Sequence, residues 1–151
     1  MDVTASVEAP CAPEQLFSFV DRLDDYPHWM PLAHRVSGVE AEPDGRPAWD
    51  VELRARVGPL ARSKRLRMVR SVHDAVGGKV VFERQETDGR RHSPWVLRAT
   101  VVATSSGSRL DMHLHYGGGL WTGGLMERVL ADQITAGRSR LLAQIAATPA
   151  G

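Results

Sequence analysis

Trp49-Asp50-Val51-Glu52-Leu53-Arg54-Ala55-Arg56-Val57 is the stretch that decides the fold class. An apolar residue stands at every second position, with Asp50, Glu52, Arg54 and Arg56 between them. A period of two puts one set of side chains on each face, which predicts a strand with one buried side. Gly58-Pro59 ends it. Downstream, a second strand is expected from Ser63 to Asp74, with Leu66, Met68 and Val72 inward and Arg65 and Arg67 outward. Gly77-Gly78 turns the chain into Val80-Val81-Phe82, and Asp88-Gly89 is the strongest hairpin signal in the sequence. Trp95, Leu97, Ala99 and Val101 then alternate with Val96, Arg98, Thr100 and Val102. Ser105-Ser106-Gly107 turns again into Leu110, Met112, Leu114 and Tyr116. Upstream, Val3, Ala5, Val7 and Ala9 mark a half-buried first strand. Strands joined by short turns predict an antiparallel meander covered on one side.

Two segments depart from that period. Pro10 ends the first strand, and Pro13 opens a short helix with Glu14 at its positive end and Leu16, Phe17 and Val20 as its apolar face. Asp24-Asp25-Tyr26-Pro27-His28-Trp29-Met30-Pro31 follows, where two prolines permit only a short second helix or turn. At the other end, residues 124 to 147 return Leu125, Met126, Val129, Leu130, Ile134, Leu141, Leu142 and Ile145 at spacings of three and four. Arg128, Asp132, Arg138 and Arg140 fall mostly on the other side. This is an amphipathic helix of roughly 36 Å, enough to cross a small sheet. The reading is α+β: one domain over 1–148 with a tail at 149–151.

Composition narrows the function classes. Nineteen basic against eighteen acidic side chains leave a net charge of +1, so no global field recruits nucleic acid. The single cysteine, Cys11, excludes an internal disulfide and a cysteine-based zinc site within the chain. Met1-Asp2-Val3-Thr4-Ala5-Ser6 shows neither the basic nor the apolar region expected of a secretory leader, and no apolar run reaches the ~20 residues of a membrane span. A cytoplasmic protein is expected. The glycines of 117–124 match neither phosphate-binding pattern, so no nucleotide cofactor is implied. That run reads instead as a flexible lead-in to the last helix, placed to gate a pocket with Leu120 and Trp121.

A straight helix of this length diverges from a twisted sheet along part of its course. The gap must be filled by the N-terminal helix, by the Tyr26–Pro31 turn, or by a ligand. Gly137 lies near the apolar stripe, where glycine costs ~1 kcal/mol relative to alanine. Close backbone approach and a merely tolerated helix glycine both account for it.

The order strand, helix, Asp-rich aromatic turn, six strands and long C-terminal helix resembles the START-like SRPBCC superfamily of polyketide cyclase/dehydrase proteins, which includes pollen-allergen-type hydrophobic carriers. The resemblance rests on Ala9-Pro10 with Glu14-Gln15-Leu16-Phe17, and on Asp25-Tyr26-Pro27-His28-Trp29-Met30-Pro31. Val57-Gly58-Pro59-Leu60, Ser108-Arg109-Leu110 with Tyr116, and the final helix complete it. It covers essentially the whole chain. It implies a helix-grip fold, with a seven-stranded sheet curved around the C-terminal helix and a deep cavity between them. It implies no single reaction, since members include cyclases, carriers and lipid-binding proteins.

The expected ligand-binding wall is Phe17, Tyr26, Trp29, Met30, Trp49, Leu53, Met68, Trp95, Leu97, Met112, Leu114, Trp121 and Met126; plain core is the alternative for each. Arg70 and Arg84 continue inward-facing series, and a buried guanidinium needs an anion or a carbonyl. Either pairs with a carboxylate such as Glu86, orients an oxygen-bearing ligand, or reaches solvent. Aromatase/cyclases of the family place an arginine near Arg70, although Val69 and Ser71 depart from their pattern. His34 is a candidate general base, and Tyr26 a candidate proton donor or acceptor. His113 and His115 share a strand face without a third ligand, so no metal is expected. His92-Ser93 is no nucleophile pair, since neighbours on a strand point opposite ways. Arg54, Arg56, Arg62, Lys64, Arg65 and Arg67 are expected on the outer sheet face, either solvated or docking an acidic partner such as a carrier protein.

Three functions follow as expectations: a binder of a hydrophobic small molecule, polyketide-, lipid- or isoprenoid-like; a cyclase or dehydratase using Arg70 with His34 or Tyr26; or an interaction module.

Overall fold

The computed structural model describes residues 1–57, 59–117 and 125–148. Seven strands run β1 (Asp2–Ala9), β2 (Ala33–Val39), β3 (Ala48–Val57), β4 (Leu60–Asp74), β5 (Lys79–Arg84), β6 (Trp95–Thr104) and β7 (Gly107–Tyr116). Helix α1 (Pro13–Phe17) and a 3-10 helix (Leu23–His28) lie between β1 and β2, and α2 (Leu125–Ala147) closes the chain. The strand order is β1-β7-β6-β5-β4-β3-β2, and every pairing is antiparallel. The α1 and 3-10 connection therefore carries the chain from one sheet edge to the other. Helix α2, ~35 Å long, packs on β1, β3 and the 3-10 helix, while α1 packs on β6 and β7. The curved sheet thus grips a C-terminal helix, as the alternation at Trp49–Val57 and the stripe of α2 predict.

Aromatic packing seats the 3-10 helix on the sheet. Tyr26 lies 5.0 Å from Trp29 and stands edge-on to Phe82 at 6.0 Å, and Trp49 meets Phe82 edge-on at 5.6 Å. These centroid separations fall in the favourable range for aromatic pairs. Around them Leu16, Val20, Val69, Val80, Leu110 and Leu141 are fully buried.

Three local expectations are corrected. Val72 is exposed, because a bulge between Arg70 and Val72 resets the side-chain parity of β4. Asp88-Gly89 does not make a tight hairpin: β5 ends at Arg84 and β6 begins at Trp95, with Gly89 in a longer loop at φ +73°. Arg62 and Lys64 do not share the outer face. Register pairs them with Ala55 and Leu53, on the concave side, whereas Arg54, Arg56, Arg65 and Arg67 pair with outer positions. The Gly77-Gly78 turn is present, and Gly78 (φ +68°) is obligatory there. A Cβ would stand 2.5 Å from the Val101 carbonyl oxygen.

Candidate functional site: a cavity between sheet and helix

The concave face and α2 do not meet everywhere, and the gap is a cavity of about 110 Å3. One water needs ~10–15 Å3 by this kind of measure, so the space is several waters in size. Residues from the sheet, the 3-10 helix and α2 build the wall. Alternation along β1 supplies Val3, Ala5 and Val7. The sheet centre gives Val51, Leu53, Leu66, Met68, Leu97, Met112 and Leu114. The 3-10 helix and following turn bring Tyr26, Trp29 and Met30, and α2 brings Gln133, Ile134, Gly137 and Arg138. Tandem alternation on neighbouring strands stacks these apolar residues on one face.

Tyr26, Trp29, Met30, Leu53, Met68, Trp95, Leu97, Met112 and Leu114 of the expected wall line this cavity. Phe17, Trp49 and Arg70 are not among its lining residues. Phe17 is buried and stacks on His73 at 5.8 Å, and the indole N–H of Trp49 donates to Asp24. Trp121 and the side chain of Met126, with most of the glycine lead-in, lie outside the described residues. Sequence reasoning missed Val3, Ala5, Val7, Leu23, Leu32, Ala33, Val36, Val51, Leu66, Gln133, Ile134 and Arg138 as lining residues. A glutamine falling on the helix stripe, four residues before Gly137, was the available signal.

Gly137 is explained by close approach. A Cβ there would sit 3.2 Å from the Trp29 carbonyl oxygen and 3.7 Å from the Trp29 ring, so the helix backbone abuts the turn at the cavity's edge. Arg138, placed by periodicity mostly away from the sheet, instead donates from Nη2 to the Ser6 carbonyl at 3.0 Å and ties α2 to the edge strand.

The polar groups nearby have structural partners. Tyr26 is buried, and its hydroxyl donates to the Val20 carbonyl at 2.9 Å. Burial, with Asp21 and Asp25 nearby, pushes its phenol far above the ordinary range, so it exchanges no proton near neutrality. The Trp29 indole donates to the Phe19 carbonyl at 3.0 Å. Arg70 donates from Nη1 to the Asp21 carbonyl at 2.9 Å, and burial lowers its pKa. It ties β4 to the segment after α1. Arg84 pairs with Glu86 at 2.9 Å and donates to the carbonyl and hydroxyl of Ser93. His34 is exposed on β2. His113 and His115 both meet Asp2 Oδ1, at 2.8 and 3.0 Å, across the β1–β7 pair. At the β6 end of the cavity, Trp95 packs on Tyr116 at 5.1 Å, and the Lys64 ammonium stands 5.8 Å from the Trp95 ring centroid. Burial, then the charge of Arg84, lowers the Lys64 pKa. Among the described residues no group of three metal-ligating side chains converges, and no helix is long and apolar enough to cross a membrane.

An apolar cavity under a gripped helix is the setting in which comparison with known proteins becomes informative. The profile of the family described as polyketide cyclase / dehydrase and lipid transport matches residues 1–148. The chain belongs to that family. Its fold is START-like. A START superfamily protein from Mycobacterium smegmatis superposes with a TM-score of 0.70 at 17% identity, covering 97% of each chain. The Zhui aromatase/cyclase from Streptomyces sp. R1128 gives 0.68 at 12% identity, covering 96% of this chain and 93% of that one. The protein TTHA0849 from Thermus thermophilus gives 0.66 at 16% identity, covering 96% and 93%. At such identities the likeness concerns the fold alone. No curated relative matches the sequence.

Proposed function

We propose that this family member binds an apolar small molecule, polyketide-, lipid- or isoprenoid-like, in the cavity between the sheet and α2. The observation that carries this reading is the wall itself: a cavity of about 110 Å3 lined almost throughout by aliphatic, aromatic and methionine side chains. Removing ~25 cal/mol per Å2 of apolar ligand surface from water supplies the affinity. Methionines Met30, Met68 and Met112 let the wall adapt to an irregular outline.

Binding is favoured over turnover by the residues that cyclisation would require. Tyr26 holds its proton on a backbone carbonyl, Arg70 is committed to the Asp21 carbonyl, and His34 is exposed on β2. Arg54, Arg56 and Arg65 make no ion pair among the described residues, which leaves the outer face a candidate dock for an acidic partner. The test of the main reading is native mass spectrometry of the purified protein, followed by organic extraction. A protein-bound mass of one small apolar compound is expected. A protein that carries nothing and takes up no apolar compound on incubation would overturn the reading.

A further inference from the structure

Strands β3 and β4 outrun their neighbours. The last β2 residue paired on β3 stands opposite Leu53, and the last β5 residue paired on β4 stands opposite Met68. Beyond these points, among the described residues, 54–57 pair as strands only with 60–63. A two-stranded ribbon roughly 13 Å long therefore projects from one end of the sheet. Its charge is one-sided. From Leu53 to His73 the sequence carries no acidic residue, although the whole chain is only +1. Among the described residues Arg54, Arg56, Arg62, Lys64 and Arg65 make no ion pair. The acids Asp50 and Glu52 lie at the base of the ribbon, opposite Arg67 and Arg65.

Two features select the partner. The cations occupy both faces: Arg54, Arg56 and Arg65 on the convex side, Arg62 and Lys64 on the concave side. A protein docks on one face of such a ribbon, whereas the headgroup layer of a bilayer surrounds a tip that enters it. The second feature is Leu60, which begins β4 at that tip and is 56% exposed. An aliphatic side chain at the tip, with long cationic side chains behind it, suits the boundary between acyl chains and headgroups. We propose that the β3–β4 ribbon docks on an anionic lipid bilayer. Leu60 enters the acyl boundary, and the arginines and Lys64 meet headgroup phosphates and carboxylates. The proposal is independent of what the cavity holds.

The test is sedimentation of the full chain with vesicles of phosphatidylcholine alone or of equal parts phosphatidylcholine and phosphatidylserine. Affinity for the mixed vesicles should exceed that for the neutral ones by at least about tenfold and should fall as salt is added. Arg56→Gln combined with Arg62→Gln should weaken binding by roughly tenfold or more, about fivefold for each charge removed. Leu60→Ser should weaken it by at least about threefold. Arg98→Gln, an exposed change on the outer face of β6, should stay within about twofold of wild type. Thermal melts should show all the variants folded, since each substituted side chain is exposed. Equal affinity for the two vesicle types, binding to neither, or full binding by the double arginine variant overturns the proposal. Binding that needs the arginines but is indifferent to Leu60→Ser also overturns it, and points instead to an acidic protein on one charged face.

Discussion

Tyr26→Phe separates a structural tyrosine from a catalytic one. The side chain is 1% exposed, and its hydroxyl makes one hydrogen bond, 2.9 Å to the Val20 carbonyl. The substitution keeps the ring, and with it the contacts to Trp29 and Phe82. What is lost is the bond, and the Val20 oxygen is left without this donor, at a cost of about 1–2 kcal/mol. For a chain of this size each kcal/mol lowers Tm by ~2–4 °C, so a fall of about 2–8 °C is expected in a thermal melt. The cavity meets the ring while the hydroxyl is committed to Val20. Affinity for the apolar fluorophore 1-anilinonaphthalene-8-sulfonate should therefore change by less than about twofold. Its pH profile from 6 to 9 should match wild type, because burial keeps the phenol protonated throughout. An unchanged Tm with a tenfold loss of affinity, or a new titration in that range, would refute this assignment.

Other substitutions probe the frame of the site. Arg84→Met leaves the Glu86 carboxylate with the Arg67 backbone N–H and should destabilise by about 1.5–3 kcal/mol in urea unfolding; adding Glu86→Gln should cost less than the sum of the two. Gly78→Ala forces a Cβ toward the Val101 carbonyl at positive φ and should cost more than about 1 kcal/mol, read from the same unfolding curves. The hydrogen bond from Ser6, then the Arg109 guanidinium, holds Asp111 below its ordinary value of 3.8. A depressed folded pKa stabilises above the unfolded value, and that contribution is lost as pH falls through the folded one. The stability gap between wild type and Ser6→Ala should accordingly be larger at pH 7 than at pH 3; a gap of equal size at both would contradict the assignment.

Much of the fold is legible because each layer obeys one period. Trp49–Val57 alternates without interruption, and Leu141 and Ile145 continue a helix stripe and are both buried. One misreading arises where a neighbour decides. Val72 follows Met68 by parity, but the bulge at Arg70 is a property of the β4–β5 pair and leaves no mark on the alternation of β4 alone. Lys64 and Arg62 on β4 share the parity of Leu66 and Met68, so the strand's own period already turns them to the concave side, and placing them outside took charge for orientation. The candidate site divides the same way. Inward parity identifies Leu53, Met68, Leu97 and Met112 as facing the helix. It does not distinguish an inward residue that lines a void from one, such as Trp49, that another side chain has already met. That distinction depends on where α2 and the 3-10 helix come to rest, which no single strand encodes.

The central claim is that the cavity itself is the binding site, and filling it is the most direct test. Leu97 lies on β6 and lines the cavity, so Leu97→Trp grows into the empty volume with little overpacking. The measurement is the dissociation constant for 1-anilinonaphthalene-8-sulfonate in wild type and Leu97→Trp, with Tm recorded for both. The account predicts that binding weakens by at least about tenfold while Tm stays within ~4 °C, equivalent to roughly 1 kcal/mol. Unchanged affinity in a folded Leu97→Trp protein would place the ligand elsewhere and contradict the account.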